Sequence, residues 1–205
     1  MSAPPRQTLA SRLVRWAIVA LYRAAGWKAS GAPPVDRKAI LLGVPHTSNW
    51  DFIFFLGVTA DLGIPPSFMG KESLFRWPLR RFMFDMGGVP VNRSSSQNYV
   101  DAMAAEFAAR DSMLLVIAPE GTRSGGGKWK SGFYHIAHKA GVPIYCGWVD
   151  YPARTGGLGL RIETTGDYRA DMARIAEFYR SHGRPRHPSR GVTSLAAMLG
   201  EDEDD

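Results

Sequence analysis

A chain of 205 residues with 45% hydrophobic content can build one α/β domain with a sizeable core, and a second domain is not expected. Cys146 is the sole cysteine, which excludes an internal disulfide and a cysteine-built zinc site and makes a reducing, cytoplasmic setting the expected one. The formal charge of +6 and the pI near 9.7 point to an anionic partner: a membrane surface, a phosphorylated substrate or nucleic acid.

The charge is unevenly placed. Residues 1–30 carry Arg6, Arg12, Arg15, Arg23 and Lys28 with no acidic residue, whereas Glu201 to Asp205 are all acidic and read as a solvated end. From Thr8 to Trp27, Leu9, Leu13, Trp16, Ala17, Ala20, Leu21 and Ala24 recur at helical spacing, with the arginines elsewhere around the helix. The unbroken apolar run, Trp16 to Tyr22, is far short of the ~20 residues of a spanning helix, and no small-residue cleavage site follows it, so no signal peptide is expected. Two readings stand: a basic amphipathic helix on the cytoplasmic face of a membrane, or a helix packed on the domain with its arginines merely solvated. The first is adopted, which sets residues 1–30 apart from a main domain at 31–182 and a C-terminal tail at 183–205.

Gly31 to Val35 is a linker into a strand at residues 39–44, AILLGV, which runs through Pro45 into His46-Thr47-Ser48-Asn49. A helix then opens near Asp51 and stops before Gly63-Ile64-Pro65-Pro66. Ser48 or Asn49 is placed to cap it, with Asp51 in its first turn, where the helix dipole favours the ionised carboxylate. A turn can fold His46 back toward Asp51, which would fix one imidazole tautomer and leave the other nitrogen to take a proton from an alcohol.

Residues 67–70 read as a short strand leading to Lys71, and residues 74–86, LFRWPLRRFMFDM, as an apolar and basic stretch begun or kinked at Pro78. A strand at 88–92 delivers Arg93, and residues 97–110 form a helix with Val100, Met103, Ala104, Phe107 and Ala108 on its core face. The strand Met113 to Ala118 opens through Pro119 into Glu120-Gly121-Thr122-Arg123-Ser124; Gly121 permits close backbone approach and Arg123 offers a planar fork of donors to a phosphate. A helix at 132–139, strands at 142–149 and 158–163, and an amphipathic helix at 170–179 follow. Strands alternating with helices predict an α/β domain with helices over a mixed, largely parallel sheet, with ligands bound beyond the strand ends.

His46-x4-Asp51 together with Pro119-Glu120-Gly121-Thr122-Arg123-Ser124 resembles the glycerolipid acyltransferase family that includes 1-acylglycerol-3-phosphate acyltransferases. Gly70-Lys71-Glu72-Ser73-Leu74-Phe75 and Gly87-Gly88-Val89-Pro90-Val91-Asn92-Arg93 look like that family's middle region, and Lys130-Ser131-Gly132 and Gly141-Val142-Pro143-Ile144 are similar to its last block. The resemblance runs from about Ala39 to about Tyr151. Pro45 stands where members commonly have asparagine and Ala118 where an aromatic is common, and the tryptophan and asparagine in Thr47-Ser48-Asn49-Trp50 suggest a distinct subgroup.

The resemblance implies an acyltransferase domain, with its amphipathic N-terminal helix, that moves a fatty acyl group from acyl-CoA or acyl-carrier protein to a hydroxyl of a lysophospholipid such as 1-acylglycerol-3-phosphate. His46 would be the general base and Asp51 its partner. Arg93 and Arg123, supported by Lys71 and Lys130, would hold an acceptor phosphate, with Glu120, Gly121 and Thr122 shaping the same loop and Glu120 contacting an acceptor hydroxyl or locking an arginine. A thioester is already activated, so no cofactor, metal or nucleophilic serine is required. The partners expected are a membrane surface, the acyl donor and the lysolipid acceptor. A lipid esterase or thioesterase would use the same His46 and Asp51 with water as acceptor. A nucleic-acid-binding module is disfavoured because Asp51 and Glu120 stand where phosphates would sit.

Overall fold

Alternation along residues 38–44 decides the layering: Ala39 and Leu41 face one side of the sheet, and Ile40, Leu42 and Val44 the other, all buried. The computed structural model describes residues 7–91, 96–121, 128–190 and 194–201. Arg93, Thr122 and Arg123 lie outside the described residues. Seven strands, β1 (Lys28–Ser30), β2 (Lys38–Val44), β3 (Pro66–Lys71), β4 (Gly88–Val91), β5 (Met113–Ile117), β6 (Ile144–Asp150) and β7 (Thr155–Ile162), form one sheet in the order β1-β7-β6-β2-β5-β3-β4. Every neighbouring pair is parallel except β6 with β7.

The helices are α1 (Leu9–Ala24), α2 (Asn49–Asp61), α3 (Arg80–Asp85), α4 (Ser96–Ala109), α5 (Gly132–Ala140), α6 (Tyr168–Ser181) and α7 (Leu195–Leu199). Phe55 of α2 packs on Ala39, Leu41, Leu114 and Tyr145 at one face of the sheet. The opposite face is covered by Met103 and Phe107 of α4, Phe133, Ile136 and Ala137 of α5, Met172, Ile175 and Tyr179 of α6, and Met198 of α7. The expected α/β sandwich of helices about a mixed, largely parallel sheet is the one found.

The chain departs from its sequence reading in four places. Residues 28–30, expected to belong to a separate N-terminal segment, pair with residues 155–157 as the edge strand β1; three residues carry no readable period. β7 begins at Thr155, ahead of Leu158, because Gly156 and Gly157 hide the strand from any propensity argument. They are small for a reason: a Cβ at Gly157 would lie 2.1 Å from the Ser30 carbonyl oxygen of β1. The stretch 74–86 splits into a 3-10 turn at Glu72–Phe75 and the short α3. Residues 183–205, expected to trail as a tail, include α7, whose Met198 is fully buried and whose carbonyl accepts from Trp129 N at 3.0 Å.

Helix α1 is packed on the domain by a narrow face. Ser11 and Tyr22 are buried, Tyr22 lies directly over Gly57 of α2, and Arg23 pairs with Asp61 at 2.7 Å. At its other end Asp85 accepts from Thr8 N at 2.8 Å and from Ser11 Oγ at 2.9 Å, which ties the start of α1 to the end of α3. The apolar stripe points away: Leu9, Trp16 and Leu13 are 75%, 70% and 65% exposed. Among the described residues no helix is long and apolar enough to cross a membrane.

Candidate active site

Register alone brings the distant loops together. β2 lies between β5 and β6, with Leu42 opposite Ile117 and Val44 opposite Trp148, so the segments that leave these three parallel strands emerge side by side. His46 follows β2, Glu120 follows β5 and Tyr151 follows β6. A cavity of about 770 Å³ opens at this end of the sheet, where open α/β sheets bind ligands. His46, Asp51, Gly121 and Lys130 line its polar part, and Phe55, Leu56, Phe68, Met69, Val116, Ile117, Phe133 and Val149 its apolar part.

The loop between β2 and α2 is a capping box. Ser48 Oγ accepts from Trp50 N at 3.1 Å, and Asp51 reaches back to accept from Ser48 N at 2.6 Å and Thr47 N at 2.5 Å. Asp51, 3% exposed, also accepts from Ser48 Oγ at 3.0 Å and from the phenol of Tyr151. The carboxylate therefore shapes the backbone that carries His46, a task broader than the tautomer-fixing role read from the spacing.

Glu120 has a partner that sequence reasoning missed. Both of its carboxylate oxygens accept from His46 N at 3.0 Å, which fastens the β5 loop to the β2 loop at the backbone of the histidine. The expectation had been a substrate hydroxyl or an arginine. Glu120 is 6% exposed, and burial pushes its carboxyl up to about 7; the His46 N–H pulls it back down and the charge of Asp51 adds to the rise.

The folded state thus keeps a proton on Glu120 that the unfolded chain releases near 4.5, the ordinary value. Between about 4.5 and about 7 the folded state binds more protons than the unfolded one, so this group's contribution to stability falls as pH rises through that window. The loss is on the order of 3 kcal/mol for a difference of this size. Glu120→Gln removes it, so denaturation midpoints of the variant and the parent, followed from pH 4 to 8, will diverge across the window; parallel curves would contradict the burial argument.

Gly121 sits at φ +69 with the Lys130 side chain against it, a Cβ there meeting Lys130 Cγ at 3.2 Å, so the loop needs glycine both for its conformation and for the closeness of Lys130. Lys130 N is in turn fixed by the Pro119 carbonyl at 2.8 Å. Lys71 stands apart, exposed at the end of β3 and not among the residues that line the cavity. Of the expected site, then, His46, Asp51, Glu120, Gly121 and Lys130 converge, Lys71 does not, and Arg93, Thr122 and Arg123 fall outside the described residues.

Among the described residues no group of three His, Cys, Asp or Glu side chains is placed to hold a metal ion. Cys146 is fully buried, and burial pushes its thiol up to about 12, which leaves it inert as a nucleophile. His138 of α5 is occupied with Thr164 Oγ1 at 3.1 Å.

The family model described as Acyltransferase matches residues 28–150. The chain belongs to the Acyltransferase family. The matched span runs from β1 to the end of β6 and so contains both loops of the cavity. A 1-acyl-sn-glycerol-3-phosphate acyltransferase from Limnanthes alba is 26% identical over 122 residues, covering 56% of the chain. The chain spans 41% of the length of that relative. The crystal structure of the 1-acyl-sn-glycerophosphate (LPA) acyltransferase PlsC from Thermotoga maritima shares the fold, with a TM-score of 0.55 and 16% identity over 83% of this chain and 79% of that one.

Proposed function

We propose that this Acyltransferase family member is a membrane-surface O-acyltransferase that esterifies a hydroxyl of a lysophospholipid, such as 1-acylglycerol-3-phosphate, with a fatty acyl group from acyl-CoA or acyl-carrier protein. The observation that carries the reading is that His46, Asp51 and Lys130 line one cavity whose remaining wall is largely apolar, with Glu120 bonded to the His46 backbone N–H. His46 takes the acceptor hydroxyl proton as the oxygen attacks the thioester carbonyl. The C–O bond forms, the C–S bond breaks, and the thiol leaves with the proton that His46 returns. Asp51 holds the loop and stabilises the imidazolium. Lys130 meets the acceptor phosphate, for which Arg93 and Arg123 are further candidates by sequence alone, while the acyl chain lies along Phe55, Phe68 and Val116. The acceptor and acyl donor are co-substrates, and no cofactor is needed.

The decisive assay is thiol release from long-chain acyl-CoA, with acyl-carrier protein as the parallel donor, in the presence and absence of 1-acylglycerol-3-phosphate. Release stimulated by the acceptor with formation of diacylglycerol phosphate is expected. Release that is independent of every lysolipid offered would make the protein a lipid esterase or thioesterase instead.

The outward stripe of α1 supports docking on the cytoplasmic face of a membrane, with Arg12 beside it and Trp77, 91% exposed, on the neighbouring segment before α3. Each apolar side chain buried in lipid contributes about 1.5–3 kcal/mol. Leu13→Glu with Trp16→Glu, both on the face turned from the domain, should weaken binding to vesicles of anionic phospholipid at least roughly tenfold and leave the fold intact. Co-flotation unaffected by the double substitution would remove α1 from the membrane contact.

A further inference from the structure

We propose that Tyr151 is a positioning residue of this site, acting through Asp51: its phenol donates to Asp51 Oδ1 and holds the carboxylate in the orientation that organises the His46 loop. The inference rests on the His46 and Asp51 reading above and goes beyond it to a residue one hundred positions away in sequence.

Three observations place Tyr151 in this role. Its hydroxyl contacts Asp51 Oδ1 and lies 3.3 Å from Ser48 Oγ, so it touches both members of the capping box that carries the histidine. Its ring is clamped, edge-on to Trp27 with centroids 5.1 Å apart and edge-on to Phe54 at 5.6 Å, while those two rings stack on each other at 4.2 Å. Its backbone is fixed as well, Tyr151 N donating to the Arg184 carbonyl at 3.1 Å and Arg184 pairing with Asp150 at 2.8 Å. A phenol whose ring and backbone are both held directs its hydrogen bond to one point, and that point is the Asp51 carboxylate.

The proton stays on the phenol. Burial raises the tyrosine well above its ordinary value, the hydrogen bond to Asp51 raises it further, and only Ser48 and the more distant charge of Arg186 oppose them. Tyr151 is thus a fixed donor to Asp51 rather than an acid or base of the reaction, and Glu120 is the other carboxyl group near by, its own proton held more tightly by the charge of Asp51. The backbone donors Thr47 N and Ser48 N bond Asp51 Oδ2 from within its own loop; Tyr151 is a donor that comes from the turn after β6. It therefore sets where the loop sits relative to β6 and the cavity.

Tyr151→Phe keeps the ring against Trp27 and Phe54 and removes only the donor. Loss of one hydrogen bond to a carboxylate that matters in the transition state should lower kcat roughly 10- to 100-fold with little change in KM for donor or acceptor. In an Asp51→Asn background the same substitution should cost almost nothing further, because the group it acts through is already altered. A merely structural role would give additive losses in that cycle or a rise in KM at constant kcat, and either result overturns the proposal. So does a Tyr151→Phe enzyme with the parent kcat, or one that loses its fold. Wild-type turnover by His46→Ala and Asp51→Asn would instead sink the underlying site assignment, so the two failures are distinguishable.

Discussion

With His46 as the proposed general base, its replacement by alanine is expected to lower kcat for acyl transfer by about 10²- to 10⁴-fold, the range that a positioned general base contributes. KM for the acceptor should change little, because Lys130, proposed to meet its phosphate, lies on a separate segment between β5 and α5. The substitution also spares the architecture. Glu120 is bonded to the backbone N–H of residue 46 and not to its ring, so an alanine there keeps the β2 loop fastened to the β5 loop. Steady-state kinetics with saturating acyl-CoA and varied lysolipid test this directly. A variant that keeps more than a tenth of the parent rate would remove His46 from the proton transfer.

Substituting Gly57 by alanine destabilises the fold in spite of a gain in helix propensity. In the interior of α2 an alanine is favoured over glycine by about 1 kcal/mol. Against this, its Cβ would stand 2.2 Å from Cγ and 2.7 Å from Cβ of Tyr22, the root of a fully buried ring that cannot swing aside, and overpacking of this kind costs about 1–3 kcal/mol or more. The clash wins, and α1 is pushed off α2. Chemical denaturation should show Gly57→Ala less stable by about 1–2 kcal/mol in the parent and neutral or more stable in a Tyr22→Ala background. An unchanged sign between the two backgrounds would mean that α1 is not seated through this pair.

What could be read in advance follows the range of the interactions. His46, Ser48 and Asp51 were legible because a capping box is a local device, written within four residues. Glu120 was legible as a loop residue after an apolar strand, but its bond to His46 N was not, since it depends on β2 and β5 being neighbours and in register. Tyr151 carried no signal at all: a tyrosine one step past a strand is unremarkable until the sheet order sets it beside Asp51. The long strands and helices declared themselves by period, whereas β1 has only three residues, β7 begins in glycines, and α7 is five residues long and is held by a buried methionine. The apolar stripe of α1 was correctly read as a face, and only the packing of Tyr22 on Gly57 reveals that a different, narrower face meets the domain.

The pairing of β1 with β7 has a bearing on how the protein is made. During synthesis β1 leaves the ribosome early, yet the strand it must join starts at residue 155. At ~5–20 residues per second the wait is roughly ten seconds, long compared with helix formation. Through that interval α1 has α2 to rest on but no closed sheet edge behind it, and its outward stripe is already displayed. The topology of the sheet therefore sets an order in time: the exposed stripe of α1 is formed before the β1 edge can close, and any surface that recognises the stripe can do so before the cavity end of the sheet is complete.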